Sequence, residues 1–249
     1  MSLDVRIEDG IAELLLNHPP VNALDSRGWA RLAETVAALG RNDAVRVVVI
    51  AAEGRGFCAG VDIKELAADG TRIVAVNRGC AAAFAAVYDC EVPVVAAVHG
   101  FCLGGGIGLV GNADVIVASE DATFGLPEVD RGALGAATHL ARLVPQHRMR
   151  AMVYLAQSAT AGELHSYGSV LDVVPRDVLE ERALEVATAI AEKSPTIIRR
   201  AKESLNGIDP VDVKHSYRFE QGFTYELSLG SDADEARQAF VDKREADFS

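Results

Sequence analysis

The chain has 249 residues, of which 49% are hydrophobic and 24% are charged, and its formal net charge is −12 at pH 7. This length suits one or two domains with a substantial core. The acidic balance argues against binding to a nucleic-acid backbone. The sequence has no apolar run of about 18 residues that could cross a membrane, and its first residues lack the pattern of a signal peptide. We therefore predict a soluble, cytoplasmic protein without nucleic-acid or membrane partners.

The first half of the sequence alternates strand and helix patterns. Residues 5–17 predict two strands around the Asp9-Gly10 turn. Asp25 or Ser26 can cap a helix that Gly40 ends. Apolar runs predict strands at 46–52, 93–98 and 114–118, and helical patterns lie at 63–66 and 71–88. The order of these elements indicates an α/β fold.

From residue 135 onward the pattern becomes mostly helical, with segments at 176–193, 195–205 and from 211 into the 220s. The last segment, 232–244, is strongly charged. A helical region without a dense apolar core of its own should pack on the first domain or on a neighbouring subunit. We therefore divide the chain into a core of residues 1–192 and a C-terminal helical region of residues 193–249 that serves oligomerisation.

Two glycine-rich turns follow predicted strands, and we expect them to form one site. They are Gly54-Arg-Gly-Phe-Cys-Ala-Gly-Val-Asp62 and Gly100-Phe-Cys-Leu-Gly-Gly-Gly-Ile-Gly-Leu-Val-Gly111. Each turn presents backbone N–H groups at the start of a helix, where they can stabilise a developing oxyanion. We assign this role to the N–H groups of Val61 and Gly105.

The second turn also matches the G-x-G-x-x-G pattern of dinucleotide-binding proteins, from Gly106 to Gly111. That motif needs a full crossover helix, whereas the strand pattern at 114–118 leaves room for less than three turns of helix. The dinucleotide interpretation is therefore disfavoured. A purely structural role in helix–sheet packing would explain either turn alone more readily than both together.

The cysteines and histidines do not indicate a metal site. The sequence has no C-x-x-C motif and no histidine cluster with metal-ligand spacing. No neighbour would lower the pKa of Cys58, although it lies beside the first turn. His99 and His139 are the histidines that could reach a pocket. We expect buried free thiols from the four cysteines, which are Cys58, Cys80, Cys90 and Cys102.

In order along nearly the whole chain, the motifs resemble those of the crotonase (enoyl-CoA hydratase/isomerase) superfamily. Besides the two turns they are Pro19-Pro-Val-Asn-Ala-Leu24, Asn112-Ala-Asp114, Ala122-Thr-Phe-Gly-Leu-Pro-Glu128 and Ala239-Phe-Val-Asp-Lys-Arg244. The resemblance implies a spiral of β-β-α units with two nearly perpendicular sheets. It also implies a C-terminal helical trimerisation region, in a homotrimer or a dimer of trimers.

The resemblance further implies an acyl-CoA substrate, with coenzyme A as part of the substrate and no separate cofactor. The thioester oxygen would lie between the N–H groups of Val61 and Gly105. Adenine would lie near Ala59, and the lysines that could approach the CoA phosphates are Lys64 and Lys243.

One departure from the family pattern bears on the reaction. Family members that hydrate enoyl thioesters have two glutamates, and here the second is Glu128 whereas the first position is Gly108. We assign Glu128 as the general base. The missing side chain at Gly108 should leave space beside the acyl group for a bulky or ring-containing substrate.

The sequence leaves the roles of two aspartates undecided. Asp62 could enter the site as a catalytic group or cap the helix that begins near Ile63, and the cap is favoured. Asp130 would share a face with Glu128 on an extended segment and could raise its proton affinity, or it could be solvated.

The block from Phe124 to His147 resembles, more specifically, the family's bacterial steroid-degradation hydrolases. These enzymes hydrolyse a carbon–carbon bond in the last five-membered ring of a CoA-linked steroid remnant. The preferred function is therefore hydrolytic ring opening of such a substrate. Enoyl-CoA isomerisation and enoyl-CoA hydration in fatty-acid β-oxidation are the enzymatic alternatives, and a non-catalytic RNA-binding relative is the alternative of another class.

Overall fold

The computed structural model describes residues 2–248 and shows a mixed α/β protein. Its strands are β1 Ser2–Glu8, β2 Ile11–Asn17, β3 Ala23–Leu24, β4 Val47–Ala52, β5 Gly60–Val61, β6 Val94–Val98, β7 Phe101–Leu103, β8 Val115–Ser119, β9 Thr123–Gly125, β10 Ser158–Thr160 and β11 Asp172–Val174. Its helices are α1 Ser26–Gly40, α2 Ile63–Ala68, α3 Ile73–Tyr88, α4 Gly105–Val110, α5 Ala137–Leu140, α6 Gln146–Tyr154, α7 Ala161–Ser166, α8 Leu179–Ala191, α9 Pro195–Gly207, α10 Val213–Leu227 and α11 Ser231–Asp242. Single 3₁₀ turns span Gly70–Arg72, Glu128–Arg131 and Arg176–Val178.

The main sheet has the strand order β1-β2-β4-β6-β8-β11. The β1–β2 hairpin is antiparallel, and the following pairs are parallel. The valine-rich strands β4 and β6 are buried because both faces of the sheet are covered. One face packs on α8 and the other on the large core that contains α1 and α3.

Two smaller sheets position the glycine turns. β3 pairs with β5, and the other small sheet has the order β10-β9-β7. A parallel bridge between Cys58 and Cys102 joins the segments that enter the two turns. The turn after β4 and the turn after β7 are therefore held side by side.

Most predicted elements of the first half are confirmed. The β1–β2 hairpin turns at Asp9-Gly10, and Asp25 caps α1 by accepting a hydrogen bond of 2.7 Å from the Gly28 N–H. The helix after the second glycine turn, α4, has six residues, too few for a dinucleotide crossover. The mostly helical interpretation of the second half missed β10 and β11, which have three residues each and cannot show a periodic pattern.

The last three helices pack partly against the site. α10 contacts α3 and α5, while α11 contacts α2 and the 3₁₀ turn that begins at Glu128. α9 is anchored by Lys202, whose ammonium lies 2.6 Å from Asp114. Within residues 2–248, no helix is long and apolar enough to cross a membrane. The boundary at residue 193 and the role of this region in oligomerisation stay predictions.

Candidate active site

The two glycine-rich turns are in direct contact. A Cβ atom on Gly60 would lie 2.9 Å from the Gly105 nitrogen and 3.0 Å from the Leu103 oxygen, so only glycine fits there. Gly60 and Gly104 also have φ angles of 88° and 56°, which favour glycine. The ring of Trp29 supports the second turn from below, because a Cβ on Gly105 would lie 2.5 Å from its Cζ2 atom.

The backbone N–H groups of Val61 and Gly105 are available at this contact. Asp62 donates its N–H to the Leu24 oxygen at 2.9 Å, so the neighbouring Val61 N–H points away from β3. Gly105 is the first residue of α4, and its N–H therefore has no acceptor within the helix. Both residues that the sequence assigned as donors thus lie at this contact, and their catalytic role stays a prediction.

A cavity of about 240 Å³ opens beside these turns. Its wall is mainly apolar and includes parts of α2, α3, α10 and α11. Ala59, Val61, Gly105 and Glu128 all line it. The structure therefore brings together the first turn, the second turn and the predicted general base around one space.

Glu128 begins the 3₁₀ turn, and its carboxyl group lies against the second glycine turn. A Cβ on Gly104 would lie 2.6 Å from its Oε1 atom. The residue as a whole is half-buried, but its Oε2 atom is fully buried and has no hydrogen-bond partner among residues 2–248. Burial is the main cause that raises the pKa of Glu128 to about 8, and the charge of Glu220 adds to it while Arg131 opposes it. A carboxyl group with this pKa can accept and return a proton near neutral pH.

Of the two alternatives for Asp130, the structure supports the solvated one and not an influence on Glu128. Residues 128–131 form a 3₁₀ turn instead of an extended segment, and Asp130 is exposed. The acidic residue that acts on Glu128 is Glu220 of α10, which is half-buried and accepts a hydrogen bond of 3.0 Å from the Thr138 N–H.

The predicted free space at Gly108 is also wrong. A Cβ at this position would lie 2.2 Å from Cζ of Phe84, so an aromatic ring already fills the volume. Gly108 is buried and does not line the cavity. Phe84 packs edge-on against Trp29 and His139, at centroid distances of 5.5 and 5.0 Å. Sequence reasoning missed this because Phe84 lies on α3, far from Gly108 along the chain.

The predicted catalytic residue Asp62 and the remaining predicted substrate-binding residues fall in different places. Asp62 caps α2 by accepting a hydrogen bond of 3.0 Å from the Lys64 N–H, and it does not line the cavity. Ala59 does line it. Lys64 and Lys243 are exposed, and their ammonium groups have no ion-pair partner in the described part of the chain. Their predicted contact with CoA phosphates stays a prediction.

The histidines and Cys58 lie outside the reacting space. The ring of His99 contacts the Gly54 oxygen at 3.1 Å, away from the cavity. His139 is packed between Phe84 and Tyr217, and burial lowers its pKa to about 3. Cys58 is a buried free cysteine, as predicted, and burial raises the pKa of its thiol to about 12, which is typical of an unreactive thiol. Among residues 2–248 no group of His, Cys, Asp or Glu could hold a metal ion.

Sequence reasoning missed several polar residues that line the cavity. Asn77 and Tyr217 reach it from α3 and α10, while Arg131 and Arg237 reach it from the 3₁₀ turn and α11. Arg237 could have been noticed as a cation among the small residues Ala233, Ala236 and Ala239, but the sequence does not show what that face of α11 packs against.

The comparison with known proteins agrees with this arrangement. The family model for enoyl-CoA hydratase/isomerase matches residues 6–249. A (7aS)-7a-methyl-1,5-dioxo-2,3,5,6,7,7a-hexahydro-1H-indene-carboxyl-CoA hydrolase of Rhodococcus jostii is 64% identical over 94% of this chain and 92% of its own length. A hydrolase of the same name from Mycobacterium tuberculosis is 60% identical over 95% of this chain and 96% of its own length.

A solved structure gives the same result for the fold. An enoyl-CoA hydratase of Mycobacterium avium subsp. paratuberculosis superposes with a TM-score of 0.88 at 25% identity, covering 99% of this chain and 98% of its own. The fold that the motifs implied is therefore confirmed. This chain belongs to the enoyl-CoA hydratase/isomerase family.

Proposed function

We propose that this protein opens a ring of a bicyclic acyl-CoA by hydrolysing a carbon–carbon bond. The observation that supports this most directly is the carboxyl group of Glu128. It is the acid beside the two N–H donors, its Oε2 atom has no partner among residues 2–248, and its pKa is raised to about 8. The two relatives with 64% and 60% identity are hydrolases of a dioxo-hexahydroindene-carboxyl-CoA.

The substrate in those names contains the electron sink that such a cleavage needs. Its hydrogenation pattern leaves a double bond conjugated with the ketone of the six-membered ring, next to the methyl-bearing ring-fusion carbon. The other ketone lies in the five-membered ring on that same carbon. If the CoA thioester is attached to the conjugated system, its oxygen also gains charge when the bond breaks.

The steps balance without a further reagent. Glu128 removes a proton from water, and the water oxygen bonds to the five-membered-ring ketone carbon. The bond from that carbon to the ring-fusion carbon then breaks, and its electron pair moves through the double bond to the thioester oxygen. Glu128 returns the proton to a ring carbon, and the former ketone becomes a carboxylic acid. The net change is the addition of one water molecule.

The protein contributes two elements to this reaction. The N–H groups of Val61 and Gly105 would stabilise the charged thioester oxygen, and one such donor contributes about 3 kcal/mol in known cases. Glu128 would transfer the proton. The missing acid at Gly108 disfavours hydration, and a Cβ atom there would overlap the Phe84 ring, so the packing as it stands leaves no room for a second acid at this position.

Other features of the site belong to the same proposal. Coenzyme A would enter as part of the substrate, past Ala59, with Lys64 and Lys243 near its phosphates. Exposed apolar side chains on the C-terminal helices, including Phe219, Phe223 and Phe240, support the proposed trimer or dimer of trimers. We also propose a cytoplasmic location, where acyl-CoA substrates are made.

The test is to incubate the purified protein with the dioxo-hexahydroindene-carboxyl-CoA and to record product mass and free thiol. Ring opening predicts a mass gain of one water with CoA still attached. Release of CoA thiol would instead show thioester hydrolysis and would overturn the proposal. In ¹⁸O-labelled water, the label should appear in the new carboxyl group.

The variant Glu128→Gln is the matched control, because it keeps the size of the side chain and removes its basicity. A loss of about 10² to 10⁴-fold in kcat is expected for a general base. Retention of activity near the wild-type rate would show that Glu128 does not transfer the proton. Crotonyl-CoA serves as the hydration substrate, and rapid turnover of it alone would favour a hydratase.

A further inference from the structure

Arg237 is a buried cation in the wall of the cavity. Its side chain is 9% exposed, and its partner among residues 2–248 is Asp234, whose side chain is 75% exposed. That contact uses the Nη2 atom of Arg237, whereas its Nε and Nη1 N–H groups donate to no acceptor in the described chain and are not fully buried, so they keep some exposure. A guanidinium group has five N–H donors in a fixed plane, so most of its binding capacity is unused.

The packing of α11 places Arg237 on the face that meets the Glu128 turn. A Cβ on Gly132 would lie 2.5 Å from the Cα of Ala233, so the helix backbone touches the end of this turn. Three residues beyond Arg237, the Phe240 ring lies 4.2 Å from the Arg131 guanidinium. Ala233, Arg237 and Phe240 have the spacing i, i+4 and i+7, which puts them on one side of a helix.

Within residues 2–248, the charge of Arg237 is paired with one carboxylate, and that carboxylate is exposed. A buried cation is costly unless an anion and hydrogen-bond acceptors accompany it. Asp234 faces solvent, which weakens its attraction. The cavity itself is lined mainly by apolar atoms. Arg131 is less suited to bind an anion there, since it is only half-buried and stacks on Phe240.

We propose that Arg237 binds the carboxylate group that ring opening creates. This inference rests on the proposed function, because only a carbon–carbon hydrolysis forms a new carboxylate on the acyl part while CoA stays attached. Arg237 is thus a binding residue for acyl groups that carry a carboxylate.

The experiment compares the binding of carboxylated and neutral acyl-CoA thioesters by calorimetry. The probes are adipoyl-CoA and pimeloyl-CoA, with hexanoyl-CoA and heptanoyl-CoA as neutral partners of equal chain length. In the wild type, at least one carboxylated thioester should bind about tenfold or more tightly than its neutral partner, as hydrogen bonds to charged groups predict. The variant Arg237→Gln should lose this preference, and Arg237→Lys should keep part of it.

Control variants separate this role from a structural one. Asp234→Asn should preserve the preference, since Asp234 is not the ligand. Thermal melting without ligand shows whether Arg237→Gln is folded, and unchanged affinity for hexanoyl-CoA shows that its CoA site is intact. The proposal is overturned if the wild type does not prefer carboxylated over neutral thioesters, or if Arg237→Gln retains this preference. It is also overturned if Arg237→Gln weakens the binding of all the thioesters equally.

The outcome of the binding experiment can be distinguished from the outcome of the ring-opening assay. If the wild type releases CoA from the indene substrate, ring opening fails, yet the binding comparison still decides whether Arg237 recognises a carboxylate. If ring opening is observed and the preference is absent, only the assignment of Arg237 fails.

Discussion

The pKa of Glu128 leads to a prediction about stability that does not depend on knowing the substrate. In an unfolded chain the carboxyl group has a pKa of 4.5, and in the folded protein burial raises it to about 8. Between these values the folded state holds a proton that the unfolded state has lost. Stability should therefore be unaffected by Glu128 at low pH and should fall as the pH rises from 4.5 toward 8.

The size of the effect follows from the two pKa values. Each unit of difference corresponds to about 1.4 kcal/mol, so the contribution of Glu128 should lower the unfolding free energy by about 3 to 4 kcal/mol between pH 5 and pH 8. The variant Glu128→Gln has no such titration. Its unfolding free energy relative to the wild type should increase by this amount over the same interval, while its activity is lost.

The assay is urea unfolding of both proteins at pH 5 and pH 8, at one protein concentration so that self-association affects them equally. The quantity to compare is the difference in unfolding free energy between the two proteins, and how this difference changes with pH. This removes the pH-independent cost of burying an amide and the titration of other groups. If the two unfolding free energies change in parallel with pH, the carboxyl group is not held in a dry environment and the assignment of its raised pKa is wrong.

The same pKa predicts that kcat/KM rises with pH with a slope of about one and levels off above about 8, because the free enzyme must hold Glu128 as a base; a profile that is flat from pH 6 to 9 would contradict this. A second prediction concerns Gly108, where Gly108→Ala should destabilise the fold by about 1 to 3 kcal/mol, since the new methyl group would overlap the Phe84 ring. Gly222→Ala, in α10 with nothing within 4 Å, is the matched control and should be neutral or stabilising in the same urea assay, by up to about 1 kcal/mol.

The sequence predicted the parts of the site that depend on local chain geometry. The glycines at 60 and 104–106 come after predicted strands, and this local pattern indicates backbone N–H groups that no side chain covers. The cap formed by Asp62 was likewise predictable, since an aspartate before a helical segment accepts a hydrogen bond from the first turn. Glu128, in contrast, was predicted from the resemblance of its segment, Ala122-Thr-Phe-Gly-Leu-Pro-Glu128, to the motif of the crotonase superfamily.

The parts that could not be predicted depend on contacts between distant segments. Phe84 and Gly108 are on different helices, and only the packing of α3 against α4 shows that one fills the space left by the other. Asp130 was misplaced because a 3₁₀ turn and an extended segment put alternate residues on different sides. Arg237 is more than one hundred residues from Glu128, and nothing in a single sequence shows that their elements pack together.

The filling of the Gly108 position and the high pKa of Glu128 both fit a site from which water is excluded. Phe84, with Trp29, His139 and Tyr217 around it, forms an aromatic cluster beneath α4 where a charged or hydrated side chain would otherwise lie. Such a cluster excludes water from this side of the site, and loss of hydration disfavours the ionised carboxylate.

A dry site with one acid suits a reaction in which a single group takes a proton from water and later returns it to carbon. At a pKa near 8, both the ionised and the protonated forms of Glu128 are populated near neutral pH, so the residue can act first as a base and then as an acid. Two neighbouring ionised carboxylates in a site without bulk water would repel each other, and this repulsion would raise the pKa of one of them further. Replacement of the second acid by glycine and a packed ring therefore favours proton return by one residue over the paired-acid chemistry of hydration.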